Sequence, residues 1–343
     1  MDRRELLQLG AATIAVGALA KPALAQTPGM AGWKNHLDAY SRTLHWLRTP
    51  GEVAQACHEI GNTTIDLTVR NYPGHVQPEK VKTDLPVFVN GLKREGITVT
   101  KIAMDIADAA TPHVEEMLDT AASLGIHHTW WRGIPFDWSQ PYAKQLDAIK
   151  PRVAGLAKLM EKYSVKACWH PMTGFTEVLE VCRNFDPRYI ALSYDTGNFG
   201  QFDQAKLTQQ IRIAGTYVGS FVFKEHTIEK LTPEQIAATA APARGGAGRG
   251  AAAAGRGGDT SNPNGFNRRQ VPVGTGYLNL PAICQALKDI NFLGPIECQP
   301  EWPELGGAGA GLDKLTISRA EAIGMLRRDY QTAIAPLTAA GVV

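Results

Sequence analysis

The sequence predicts an α/β protein folded as one (β/α)8 TIM barrel, and three observations carry that expectation. Segments with strand character and segments with a helical apolar period alternate eight times. No GxGxxG follows the first strand-like run, as an open dinucleotide-binding sheet would require. The 343 residues would allow two domains by length, yet such barrels routinely use about 250 residues as one.

The elements follow in order. A strand-like run at Thr43–Leu47 precedes a helix near Pro50 to Ile60, then the strand Thr64–Val69. A helix over Pro78–Glu95 stops at Gly96, which accepts the left-handed conformation, before the strand Ile97–Met104. Thr111-Pro112 opens a helix whose apolar residues Val114, Met117, Leu118, Ala121 and Leu124 keep the 3.6 period, and Ile126–Trp131 is the fourth strand. A long helix over Tyr142–Tyr163 leads to the strand Val165–Trp169, and a helix over Phe175–Asn184 leads to Tyr189–Tyr194. A helix over Gln204–Ile213 leads to Tyr217–Phe223, and a helix over Leu280–Ile290 leads to the eighth strand, Pro295–Cys298. The helix Ser318–Ala335 closes the chain.

Two segments stand outside this rhythm. Residues 1–25 read as a cleaved signal peptide of twin-arginine type: Arg3-Arg4 precede an apolar stretch from Leu6 to Ala20, and Ala23-Leu24-Ala25 supplies the small-residue cleavage pattern. The apolar stretch falls short of the ~20 residues that span a bilayer, so no stable membrane anchor is expected and the mature protein is expected to be periplasmic or secreted. The other segment is Ala237–Gln270, rich in Gly, Ala and Arg between strands seven and eight, with too little apolar bulk to offset the entropy of ordering. It is expected to be a disordered insertion within a barrel that occupies residues 26–343.

Composition excludes several classes. With 44% hydrophobic and 20% charged residues the chain is neither disordered nor collagen-like. Five widely spaced cysteines form no CxxC and no disulfide framework. A formal net charge of +2 exerts no general pull on nucleic acid, and basic Gly-rich composition alone is weak evidence for such a partner.

In a (β/α)8 barrel the chemistry lies at the C-terminal ends of the strands, so polar residues there are the candidates. Strand four ends at Trp131-Arg132, where Trp131 can pack on a sugar ring and Arg132 can clamp a polar substrate. Strand five ends at Trp169-His170: an indole for stacking, and an imidazole that can ligate metal or shuttle a proton. Asp195 leaves the buried strand six, which is costly unless it meets a cation or donors; a helix N-cap is the plainer alternative. After strand seven come Lys224, which can hold an oxyanion, and Glu225 and His226, which can ligate metal. After strand eight Glu297 and Glu301 compete, and Pro300 places Glu301 on the loop at the mouth. His75, on the loop after strand two, is a candidate to close over the substrate.

In this order the motifs resemble the xylose-isomerase-like sugar isomerase/epimerase superfamily, which also contains endonuclease IV, in a secreted branch. The resemblance runs from about Thr43 to Leu326 and rests on Gly74-His75-Val76-Gln77-Pro78-Glu79, Asp84-Leu85-Pro86, Asp195-Thr196-Gly197, Lys224-Glu225, Val271 to Gly276 and Gly294-Pro295-Ile296. It implies one divalent cation, Mn first with Zn or Mg as alternatives, held from among His170, Asp195, Glu225, His226 and Glu301. The chain departs from the family pattern in offering His170 where a Glu is common, Val222 where many members have a His, and Asn198 where a His often follows the strand-six Asp. Asn198 joins His75, Trp131, Arg132 and Trp169 as a substrate-binding candidate.

The implied activity is metal-assisted proton abstraction next to the carbonyl of a sugar or keto-sugar through an enediolate. Glu301 acts as base or acid, His170 as its partner, and Lys224 stabilises the developing charge. Isomerase and epimerase chemistry lead; a lyase or hydratase acting on keto-glycosides by the same deprotonation, and a metal-free sugar-binding barrel, are the alternatives. The expected partner is a small carbohydrate and not nucleic acid, and a homo-oligomer stays open.

Overall fold

The computed structural model describes residues 32–71, 74–137, 139–170, 174–199, 204–234, 266–307 and 311–343. Its strands are β1 (Leu37–Tyr40), β2 (Thr64–Val69), β3 (Thr98–Met104), β4 (His128–Trp131), β5 (Lys166–Trp169), β6 (Ile190–Asp195), β7 (Val218–Phe223), β8 (His226–Lys230), β9 (Phe266–Gln270) and β10 (Ile296–Cys298). All but β8 and β9 close into one parallel barrel, in which β10 lies between β7 and β1. The helices are α1 (Pro50–Ile60), α2 (Val81–Arg94), α3 (Val114–Ser123), α4 (Tyr142–Tyr163), α5 (Phe175–Cys182), the short α6 (Thr196–Phe199), α7 (Gln204–Ala214), α8 (Leu280–Asp289) and α9 (Arg319–Ala340).

Local chemistry sets the helix ends. The Thr49 hydroxyl accepts from Glu52 N at 3.3 Å while the Glu52 carboxylate accepts from Thr49 N at 2.9 Å, a reciprocal cap ahead of Pro50. Gly61, at φ 109°, ends the same helix. Asn279 caps α8 and Ser318 caps α9 through Ala282 N and Glu321 N, each at 3.2 Å. Inward stripes such as Val53, Ala54, Cys57 and Ile60 of α1 are buried against the barrel, where each large apolar side chain contributes about 1.5–3 kcal/mol.

The first strand differs from the sequence expectation. Thr43–Leu47 is no strand: Ser41–Leu44 is a 3-10 turn, tied by the Thr43 hydroxyl donating to Tyr40 O at 2.7 Å, and the strand is Leu37–Tyr40 just before it. The apolar residues misled because Leu44 and Leu47, both buried, stand three apart at a helical spacing. The insertion also ends earlier than expected. Phe266–Gln270 pairs antiparallel with His226–Lys230, since the backbone groups of one segment satisfy those of the other. The rest of the insertion and the signal segment lie outside the described residues. The last helix runs through Pro336 to Ala340 before Gly341 stops it at φ 69°.

The barrel interior is charged. Lys101 Nζ lies 2.8 Å from Glu297 Oε1 and 3.3 Å from Asp66 Oδ2, and none of the three side chains is exposed. Gln299 Nε2 also donates to Glu297 Oε1, at 2.7 Å, and the Thr100 hydroxyl donates to buried Asp38. With one ammonium among these carboxylates, burial pushes Asp66 well up and Asp38 up to about 7. Burial also works against ionised Glu297, but Lys101 together with hydrogen bonds to Asp66 and Gln299 outweighs it and holds that carboxyl below its ordinary range.

Candidate active site

β6 delivers Asp195, fully buried, to the C-terminal mouth. Its Oδ1 accepts from the backbone N of Gly197 at 2.8 Å and of Asn198 at 3.2 Å, and its Oδ2 from Asn198 Nδ2 at 3.1 Å. The carboxylate thus caps the start of α6 and faces the mouth at once. Oδ2 also lies 2.9 Å from His170 Nε2, at the end of β5, and 3.0 Å from Lys224 Nζ, at the end of β7. The same ammonium is 3.3 Å from Glu301 Oε1 on the loop after β10. Thr196 fixes the base of this lysine, accepting from Lys224 N at 2.8 Å and donating to Lys224 O at 3.0 Å.

The electrostatics follow from this contact set. Burial disfavours ionised Asp195, but Lys224 and His170 outweigh it and hold its carboxyl well below the usual range. Burial likewise disfavours charged Lys224, and Asp195 and Glu301 outweigh it, so the ammonium stays charged. His170 moves the other way: burial lowers its pKa despite Asp195, leaving a neutral imidazole at neutral pH.

Five residues that the sequence reading did not single out complete the mouth. The Trp130 ring stands 5.2 Å from that of His170, and the Arg70 guanidinium lies over Trp130 at 5.6 Å with its Nε 3.6 Å from Asp105 Oδ2. Tyr40 and Arg42 stand at the end of β1, Arg42 Nη1 donating to the Tyr40 hydroxyl at 3.3 Å. Placing the first strand at Thr43–Leu47 hid this pair, because it put them before a strand and not at its C-terminal end. Trp130 was legible in principle: with a period of two, the residues of β4 that share a face are His128 and Trp130.

Other predicted residues lie elsewhere. Trp131 and Trp169 pack on each other in the core with ring centroids 4.7 Å apart, and Trp131 Nε1 donates to Ala107 O at 3.0 Å. The Trp169 indole lies against Gly133, whose φ of 76° and lack of a Cβ permit that approach. Gly133→Ala is therefore expected to destabilise the protein by about 2–5 kcal/mol in urea unfolding, through a disfavoured φ and a collision together. Arg132 is exposed. His75 is held between His45 and Phe88, its Nδ1 2.9 Å from the Thr68 hydroxyl, and burial drives its pKa down to about 3. Glu225 accepts from the backbone N of Leu278 at 2.9 Å, Gly274 at 3.2 Å and His226 at 3.3 Å, anchoring the segment that leads to α8. His226 is buried at the start of β8, its ring beside Gly197.

The arrangement is therefore a parallel barrel carrying two carboxylates, an imidazole and an ammonium at its C-terminal mouth. A family model described as "Xylose isomerase-like TIM barrel" matches residues 54–318. The chain belongs to this family. No curated protein sequence matches significantly. Solved structures of similar fold include D-psicose 3-epimerase in the presence of D-fructose, with TM-score 0.58 and 15% identity over 89% of this chain and 99% of that one. They also include IolI protein with a bound zinc atom, with TM-score 0.59 and 15% identity over 89% and 98% of the two chains. A third is a xylose isomerase-like TIM barrel protein from Mycobacterium smegmatis in complex with magnesium, with TM-score 0.56 and 14% identity over 90% and 98%.

The zinc and magnesium of two of these neighbours, and the Mn, Zn or Mg expected from the sequence, can be tested against the residues of this family member. The donor set does not fit one as it is arranged. The Lys224 ammonium lies between Asp195 and Glu301, the position a cation between them would need, and Asp195 besides stands 2.9 Å from His170 Nε2 and accepts from Asn198 Nδ2 and two backbone N–H groups. Val222, paired with Asp195 across the β6–β7 register, adds only a buried isopropyl group. Among the described residues no three His, Cys, Asp or Glu side chains group as metal ligands.

Proposed function

We propose that this protein is a sugar isomerase- or epimerase-type enzyme that removes a proton from the carbon next to a sugar carbonyl. The observation that carries the reading is the Lys224 ammonium, buried and held charged between Asp195 and Glu301. The Glu301 carboxylate takes the C–H proton, the pair of that bond forms a C=C bond while the carbonyl π pair moves onto its oxygen, and Lys224 faces the enediolate charge that results. His170, neutral and tilted against the Trp130 ring, is placed to carry a proton to or from an oxygen of the same intermediate. Return of the proton to the opposite face of the same carbon gives an epimer, and to the neighbouring carbon an isomer. The sugar epimerases among the structural neighbours support this choice of substrate and reaction. A fixed ammonium supplies the positive charge at this position.

The test follows incorporation of deuterium from solvent into ketoses and keto-glycosides by NMR, with and without a chelator. Exchange is expected at the carbon next to the carbonyl, changing less than about twofold on chelation and falling about 10²–10⁴-fold in Glu301→Gln. Absence of exchange with every sugar overturns the enzyme reading. Exchange that disappears with the chelator and returns with Mn overturns the role given to Lys224.

A further inference from the structure

Arg42 occupies the turn after β1, on the same mouth, and its residue is 8% exposed. One nitrogen, Nη1, donates to the Tyr40 hydroxyl. The other two, Nε and Nη2, are buried and have no hydrogen-bond partner among the described residues. These two form the side-on edge of the guanidinium, whose parallel N–H groups match a planar pair of oxygens. Glu301 and Asp105 are near enough to act on the charge, yet neither is hydrogen-bonded to it. Arg42 lines a small cleft together with Tyr40, Thr43, Pro300, Glu301 and Leu305. The guanidinium edge and the Glu301 carboxylate therefore belong to one cleft.

A buried charged donor without an acceptor is costly, so two side by side define a place for a bidentate acceptor. We infer that Arg42 binds a carboxylate of the substrate, which makes that substrate a sugar acid and not a neutral sugar; the inference rests on the site proposed above. A carboxylate brings one negative charge and two coplanar oxygens, the complement of one guanidinium edge. A phosphate monoester brings a charge of about −1.5 to −2 and three oxygens. The cleft sets the Glu301 carboxylate beside Arg42 and, among the described residues, offers no second cationic side chain in its lining, so it matches the carboxylate better.

Three ligands with one carbon skeleton test this: D-fructuronate, D-fructose and D-fructose 6-phosphate, titrated by calorimetry into the whole protein at fixed ionic strength. The acid is expected to bind at least about tenfold more tightly than the other two. Arg42→Gln is expected to weaken the acid about 10- to 100-fold and leave fructose within about twofold. Arg42→Lys, which keeps the charge and loses the fork, is expected to recover only part of that affinity. Thermal unfolding shows which variants are folded, and Arg42→Lys carries the test if Arg42→Gln is not. Fructose binding as tightly as the acid, a preference for the phosphate ester, or an Arg42→Gln protein with unchanged affinity for the acid each overturns the inference. Binding is read without turnover. An acid that binds through Arg42 while no sugar exchanges a proton would sink the enzyme reading and leave this one standing.

Discussion

Replacing Lys101 with methionine is expected to lower the stability of the barrel by about 3–5 kcal/mol at neutral pH. Lys101 is fully buried between Glu297 and Asp66, and methionine fills much of its volume without its charge. What remains is a pair of buried carboxylates, with Asp38 close enough to act on both, and no cation among them. Urea unfolding followed by tryptophan fluorescence measures the loss, and a change below about 1 kcal/mol would refute the account. The sign of the pH dependence is a second check. Burial already raises Asp66, whereas Lys101 helps hold Glu297 below its ordinary range, and removing the ammonium leaves burial to push both carboxyls up. A raised folded pKa contributes stability at low pH that is lost as pH rises through it. The defect of Lys101→Met is therefore expected to be smaller at pH 5 than at pH 8. The double variant Lys101→Met/Glu297→Gln, with one carboxylate fewer, is expected to regain part of the loss.

Lys224→Met is expected to lower proton exchange on the sugar about 10²–10³-fold while the protein stays folded. Asp195 keeps His170, Asn198 and two backbone N–H groups as partners, so its carboxylate is not left bare. What is lost is the charge aimed at the developing enediolate. His170 supplies a readout that a purely structural lysine would not move. Burial is the main cause of its lowered pKa, and Lys224 adds to it by repulsion, so the His170 titration followed by NMR is expected to shift upward in the variant. Lys224→Arg preserves the charge but not the compact ammonium, and is expected to fall between the two. Unchanged exchange in Lys224→Met would remove the lysine from the chemistry.

How far the site was legible in the sequence depended on which signals are local. Asp195, Lys224, His170 and Glu301 could be singled out because each is a polar residue just past a hydrophobic strand, a pattern visible within six residues. Trp169 was picked by the same rule and lies in the core, because adjacent residues of a strand face opposite sides and the pattern does not say which side is inward. Glu225 and His226 show the limit again. One carboxylate is engaged by backbone N–H groups from residues about 50 positions away, and the imidazole opens a hairpin whose second strand lies beyond the insertion.

The sequence by itself determined the barrel, the helix caps, the long gap before the last strand and the polar groups available at the strand ends. These follow from period, capping and composition, which act over a few residues. Only the tertiary structure decided that Lys101 meets Glu297 inside the barrel, that Lys224 stands between Asp195 and Glu301, and that Arg42 shares a cleft with Glu301. Those pairings join residues far apart in the chain, and closing the barrel is what brings them within the few ångströms over which charges and hydrogen bonds act.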